Sequence, residues 1–552
     1  MICATTTSGG NPRRVRGAHR RLLRCPAVVL SAAFAAAFAL LAASPAPRPD
    51  VAAELRLRVA GLRQGSPVDV AGARVAADPR LADLYERRGF APVWDGARAE
   101  ALLVAVRGAA GHGLDPAHYH LAALEARRDE GEPPAARADL DLARSDALSR
   151  LAHDLRYGHV APAERDPPAA GEPDGGEVDL EALVIAADLA AALDALAPGH
   201  YAYRGLRRAL ARYREVRDAG GFPAVDDGPS LRRAEVDPRV PALRRRLLAT
   251  GDLAPADALD SEVFDTAVER AVRRFQHRHG LNEDGVVGRS TLAEMRVPVE
   301  RRIEQVRVNL ERARWVLHGL PSSFIVVNVA GQRLYVVREG SVAWETRVVV
   351  GRTVTRTPTF SAALSEVVLN PTWAVPASIA PEVVADVLRD PDYLARLGFR
   401  VLDAAGGEVG AAEVERALAE GGRFPYRFLQ TPGPVNALGE VKLVFPNPYG
   451  VYLHDTPARS HFAREDRFFS HGCIRVEEPL RLAELVLDDP AWDRRALAAA
   501  VAAGTTRTLR PSHPLPVLVL YWTAAADLHD ELHLYRDVYR RDAALLAALD
   551  RP

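Results

Sequence analysis

Apolar positions recur at helical spacing from Leu81 to about Val216, and this stretch reads as a bundle of helices. Leu81, Leu84 and Tyr85 share one face, with further apolar faces across 101–106, 148–155, 180–196 and 206–213. Residues 166–176 (DPPAAGEPDGG) interrupt the pattern with Pro and Gly and predict a loop. The Ala-, Pro- and Arg-rich run 46–80 shows no such period and reads as a linker. A second helical unit spans 232–296. It has a short amphipathic helix over 240–248 and a longer one over 263–279 with Val263, Val268, Val272 and Phe275 as its stripe. Ser290 is the expected N-cap of a third helix ending at Met295. A helix over 301–317 follows. After Pro321 the period changes to two, predicting strands at 324–329, 334–338, 344–350, 366–370, 441–445, 451–454 and 515–523. Helical spacing returns at 380–397 and 411–420, predicting a helical cap of about 377–434 inserted into a mainly β domain of 322–526. The expected fold class is multidomain. A mainly α region (81–225) and a small helical bundle (232–296) come first, then the capped β domain and a C-terminal extension, 527–552.

A chain of 552 residues is too long for one core, which agrees with several domains. The net charge of −1 gives no support for a nucleic-acid or anionic-membrane partner. Basic charge is almost all arginine, and Lys442 is the only lysine. Residues 1–25 hold six arginines and no acid, and an apolar run follows over 28–43. That layout predicts an export signal or membrane anchor over 1–45, with the protein in the periplasm, soluble after cleavage or held at the inner membrane. Cys3 and Cys25 lie in or before this segment, so the exported body keeps only Cys473 and cannot form an internal disulfide. A lone thiol in an oxidising compartment points to chemistry that requires it.

The chemistry concentrates in 451–478, VYLHDTPARSHFAREDRFFSHGCIRVEE. In a strand over 451–454, Tyr452 and His454 share a face and Asp455 points away, which makes its carboxylate a poor partner for the His454 ring. Ser470-His471-Gly472-Cys473 then sets a thiol beside a glycine. Glycine permits a tight turn and close approach of a substrate carbonyl, and amides near Gly472 and Cys473 could stabilise the charge developing there. An imidazole or a nearby cation raises the thiolate fraction, and His454, His471 and Arg475 are placed to contribute. His112, His118, His153 and His159 read as surface or packing residues rather than ligands.

His454, fifteen residues, then Ser470-His471-Gly472-Cys473-Ile474-Arg475 resembles the signature of the L,D-transpeptidase catalytic domain (YkuD) family. The segments FIVVNVAGQRLYVV, VVVGRTVTRTPTFS, LNPTWAVPASIAP and TPGPVNALGEVKLVFPNPYGVYLHDTP resemble its large multidomain branch. That branch carries a helical scaffold domain, a three-helix peptidoglycan-binding type 1 module and a capped catalytic domain. The run AVRRFQHRHGLNEDGVVGRSTLAEM is similar to the module. The resemblance implies Cys473 as nucleophile, His454 as general base, and Gly472 at the oxyanion-stabilising turn. His471 tunes the thiolate or orients the loop. Arg475 pairs with a substrate carboxylate or with local backbone, and Ser470 supports the turn. Trp373, Asn436 and Tyr452 line the cleft or are core or rim residues. It further implies peptidoglycan stem peptides as partners, a tetrapeptide donor and a diamino-acid acceptor joined 3→3 through a thioester. The glycan strand would be held through 232–296, carbapenems would acylate the enzyme, and no metal or cofactor is needed. A hydrolytic L,D-carboxypeptidase or endopeptidase would use the same residues with water as acceptor. A zinc site of His454, His471 and Cys473 is a remote alternative.

Overall fold

A computed structural model describes residues 50–551 apart from 71–72, 77, 127–130, 166–177 and 422, so the export segment and the 166–176 loop lie outside the described residues. No helix among the described residues is long and apolar enough to cross a membrane. The region expected as a linker over 46–80 is instead structured from Val51 onward. Leu55, Val59 and Leu62, at i, i+4 and i+7, bury one face of a helix Val51–Arg63, and Val68–Val70 pairs with Ala73–Val75 in a hairpin. Alanine and arginine around those three residues hid the period.

Aspartates start several of the helices that follow. Asp78 caps Pro79–Arg87 and Asp95 caps Gly96–Gly108, each accepting a backbone N–H of the first turn. The 24-residue helix Pro134–Tyr157 runs through this core and buries Leu148, Leu151 and Leu155. The apolar run 180–196 forms two short helices, Leu180–Ile185 and Leu189–Asp194, each with its own Asp cap. The four histidines expected as packing residues have local partners. His112 meets the Tyr203 hydroxyl at 3.0 Å, His153 and His159 share the Asp154 carboxylate, and His118 stacks on His159.

In the 232–296 unit, helices Val240–Ala249, Thr266–Arg278 and Arg289–Met295 enclose Leu243, Val268, Val272 and Phe275. Two expectations are corrected here. Val263 is exposed and Phe264 is buried, because 263–264 is extended and the helix starts only at Thr266, behind its Asp265 cap. The third helix starts at Arg289 behind Gly288, not at Ser290.

Helix Val299–Val316 packs on Tyr201–Asp218 and reaches the end of the chain. Its Gln305 donates to the carbonyls of Thr523 and Tyr535, and Asn309 donates to the Thr523 hydroxyl. Strands then alternate buried and open positions. From one edge the order is Arg507–Leu509, Glu366–Leu369, Val441–Val444, Leu453–His454, Ile474–Val476, Ser341–Gly351, Arg333–Arg338, Phe324–Asn328, Leu515–Leu520 and Phe360–Leu364. Phe360–Leu364 ends this order and Glu366–Leu369 lies near its other end, yet only Ser365 separates them in sequence. The sheet therefore curls back on itself around Ile325, Val336, Val350, Leu443, Leu453 and Val519.

The insertion has its own small core of Val383, Val387, Val401, Val414 and Phe428. It is not purely helical. Trp373–Ala374, Arg427–Gln430 and Phe399–Leu402 form a three-stranded antiparallel sheet beside helices Ala380–Arg389, Tyr393–Arg396 and Ala411–Glu420. These strands are two to four residues long, too short for a period of two to stand out.

Candidate active site

Two short strands running parallel, Leu453–His454 and Ile474–Val476, bring the two halves of the 451–478 segment together, with His454 opposite Arg475. Cys473 sits just before the second strand. His454, Cys473 and Arg475 all line one cleft of about 640 Å³, whose other wall is the cap. Trp373 and Tyr452 line it as well.

His454 is buried, and its Nδ1 lies 2.5 Å from the Asp455 carbonyl oxygen. A carbonyl only accepts, so Nδ1 carries the proton and the Nε2 lone pair of the neutral ring is free. Burial, reinforced by the positive charge of Arg475, pushes the ring pKa down to about 3. Asp455 thus orients the imidazole after all, but through its backbone. Its carboxylate turns away to the Glu440 N–H at 2.9 Å and to Arg459.

The turn that carries Cys473 is held from several sides. Gly472 has φ +119°, a left-handed conformation that favours glycine, and its N–H donates to Ser470 Oγ at 3.0 Å. Ser470 Oγ donates in turn to the Cys473 carbonyl. The Thr357 hydroxyl donates to the Gly472 carbonyl at 2.8 Å and accepts the Gly351 N–H. Tyr539, from the C-terminal extension, donates to the Gly351 carbonyl at 2.6 Å and accepts the Thr357 N–H. The Gly472 amide is therefore committed within the turn and is not an oxyanion donor. The Cys473 amide has no partner among the described residues and remains available for that role.

Cys473 is the one cysteine among the described residues. Burial pushes its thiol pKa up, against hydrogen bonds from Tyr452 and the positive charges of Lys442 and Arg475. Tyr452 thus touches the sulfur itself, beyond the rim role expected for it. Arg475 makes no ion pair among the described residues, and its Nε is buried without a hydrogen-bond partner. His471 turns to the cap, with Nε2 2.9 Å from both carboxylate oxygens of Glu382, which also lies 3.5 Å from Arg352. With His471 engaged there and His454 Nδ1 on a carbonyl, the two histidines and the thiol do not make a metal-ligand set.

Ser470 is buried and spends its hydroxyl on the turn. Asn436 is fully buried and does not reach the cleft. Its amide donates to the Pro371 and Thr431 carbonyls and its oxygen accepts the Leu438 N–H, so it ties the end of the cap to the sheet. Sequence reasoning missed Glu382, Thr357 and Tyr539. Thr357 lies within a segment singled out by resemblance, which was its one signal.

Three family models match the chain. "L,D-transpeptidase catalytic domain" matches residues 322–507, "Scaffold domain" 79–210 and "Putative peptidoglycan binding domain" 236–295. This is the domain set of the multidomain L,D-transpeptidase family that the sequence resembles. A "Putative L,D-transpeptidase" of Haemophilus influenzae is 33% identical over 219 residues, 40% of this chain and 44% of the relative. The chain thus spans less than half the length of that curated relative. Two solved structures are also similar. The L,D-transpeptidase of Xylanimonas cellulosilytica is 15% identical, covering 53% of this chain and 100% of that one at a TM-score of 0.18. That of Stackebrandtia nassauensis is 14% identical, covering 54% and 97% at 0.22. At those scores neither carries an argument.

Proposed function

We propose that this chain, with the domain set of multidomain L,D-transpeptidases, forms 3→3 peptidoglycan cross-links through a thioester on Cys473. The observation that carries the reading is a neutral His454, fixed through Nδ1 with Nε2 free, in one cleft with the only described thiol. As His454 Nε2 takes the Cys473 proton, the sulfur attacks the carbonyl before the terminal D-Ala of a donor tetrapeptide. The Cys473 amide meets the developing oxyanion. The C–N bond breaks, the proton passes from His454 to the departing D-Ala amine, and a thioester remains. The side-chain amine of a diamino acid in a second stem then attacks the thioester. It gives its proton to His454, and the amide forms as the sulfur leaves and recovers that proton. Arg475, with no carboxylate partner among the described residues, is the cation suited to a stem-peptide carboxylate. The same chemistry with water would make a carboxypeptidase. The cap wall supports transfer to an amine, because a covered thioester is shielded from water. The protein would act after export, in the periplasm, with 232–296 holding glycan.

Intact mass spectrometry of residues 50–552 with a disaccharide-tetrapeptide, and separately with a carbapenem, tests this. Adducts lost in Cys473→Ala, together with a 3→3 dimer, are expected. Release of tripeptide without dimer would make the protein a hydrolase, and full activity of Cys473→Ala would end the cysteine mechanism.

A further inference from the structure

Lys442, the only lysine in a chain with 71 lysines and arginines, lies on the strand beside His454. It pairs across the sheet with His454, so the two side chains leave the same face. Its Nζ lies 4.1 Å from the centroid of the Tyr452 ring, and the Tyr452 hydroxyl in turn bonds the Cys473 sulfur. Lys442 is half-buried and outside the cleft lining, so it does not touch substrate. It forms no ion pair among the described residues. Several buried arginines of this protein have acids: Arg278 has Asp252, Arg302 has Glu294 and Arg314 has Glu311. The remaining charges near the site are already engaged or lie on its other side. Glu366, on the neighbouring strand, pairs with Arg510, and Glu382 of the cap holds His471. Arg475 and His454 flank the thiol from the parallel strand pair.

We propose that Lys442 is a positioning residue for Cys473, its ammonium holding the Tyr452 ring from behind so that the hydroxyl stays on the sulfur and a positive charge faces the thiolate. The proposal rests on Cys473 being the nucleophile. A half-buried ammonium without an acid is costly unless an anion forms nearby, and the thiolate on the sulfur that Tyr452 bonds is such an anion. A cation over a ring face is held by the ring's negative face, and an ammonium or a guanidinium there keeps a positive charge toward the sulfur.

The test is the pH dependence of Cys473 alkylation by iodoacetamide, followed by peptide mass spectrometry on the full chain and on Lys442→Met, Lys442→Arg and Tyr452→Phe. Below its midpoint, alkylation follows the thiolate fraction, so Lys442→Met is expected to react about tenfold more slowly at neutral pH with its midpoint displaced upward. Lys442→Arg should recover most of that loss, and Lys442→Met should add little to Tyr452→Phe. If Lys442→Met does not fold, Lys442→Gln, which removes the charge but keeps a polar end, should give the same displacement. A folded Lys442→Met or Lys442→Gln protein with the wild-type midpoint overturns the proposal, as does a Lys442→Arg protein no better than Lys442→Met. Iodoacetamide needs no peptide pocket. A displaced midpoint in a protein that makes no cross-links would therefore refute the transpeptidase reading and leave this one standing.

Discussion

Replacing Ser470 with alanine removes one oxygen and two hydrogen bonds from the nucleophile turn. The Gly472 N–H, 3.0 Å from Ser470 Oγ, would be left buried without an acceptor. A buried donor left unpaired costs about 1–3 kcal/mol. The Cys473 carbonyl would lose its donor too, but it is partly open and water can replace the bond, so about 1 kcal/mol is the ceiling there. The bonds to the Ser470 carbonyl from the Arg352 N–H and the Thr355 hydroxyl, both 3.0 Å, survive. The loss is therefore local, about 1–4 kcal/mol, and falls on a glycine whose φ of +119° needs its neighbours to hold it. Hydrogen–deuterium exchange should show protection lost in the peptide containing Gly472 and retained in strand Ser341–Gly351. Acylation by a carbapenem, read by intact mass, should slow by at least about tenfold, since a displacement of about 1 Å costs up to about 100-fold. Ser470→Thr keeps the hydroxyl and should recover most of the rate. An alanine variant with native protection and native acylation would refute the account of the turn.

His454→Ala should acylate about 10²–10⁴-fold more slowly than wild type, measured by stopped-flow or quenched mass spectrometry, with Cys473 still open to iodoacetamide. Gly439→Ala should be destabilised by about 1–3 kcal/mol in thermal unfolding. It has φ +60°, and an added Cβ would fall 2.3 Å from Asp455 Oδ2, displacing the residue whose carbonyl orients His454. Burial opposes the charge on His159, but the hydrogen bond and charge of Asp154 outweigh it and raise the ring to about 9. Because that pKa is raised on folding, the stabilisation is complete below the ordinary histidine range near pH 6.5 and is lost as pH rises through about 9. Unfolding followed from pH 6 to 10 should weaken across that window in wild type and less in His159→Gln.

What could be read from sequence was what is local in sequence. The His454 strand, the intervening loop and the Ser470–Arg475 turn form one continuous segment, so spacing alone brings His454 and Cys473 to one cleft. The brace behind the turn was hidden because it comes from afar: Thr357 is 115 residues from Gly472, and Tyr539 is 188 residues from Gly351. Glu382 lies 89 residues from His471, on a helix whose exposed face gives no hint of a target. Asn436 misled for the opposite reason. A polar residue in a Pro- and Gly-rich loop suits a binding rim, yet here it satisfies backbone groups that burial would otherwise strand. Helix Val51–Arg63 was missed because three buried residues among alanines make a weak period, which tertiary packing against Pro134–Tyr157 decides.

Arg475 and Lys442 act on the nucleophile pair in opposite senses. Both positive charges favour an anion on Cys473 and disfavour a cation on His454. Burial adds to the second effect and opposes the first, leaving the thiol raised and the imidazole near 3. Both shifts disfavour a resting thiolate–imidazolium pair. On the proposed mechanism the sulfur then loses its proton as it attacks, and the rate depends on a correctly seated carbonyl. In an oxidising compartment this has a second consequence. Oxidants react with thiolate, so the burial that raises the thiol pKa also limits oxidation of Cys473, against the two cations.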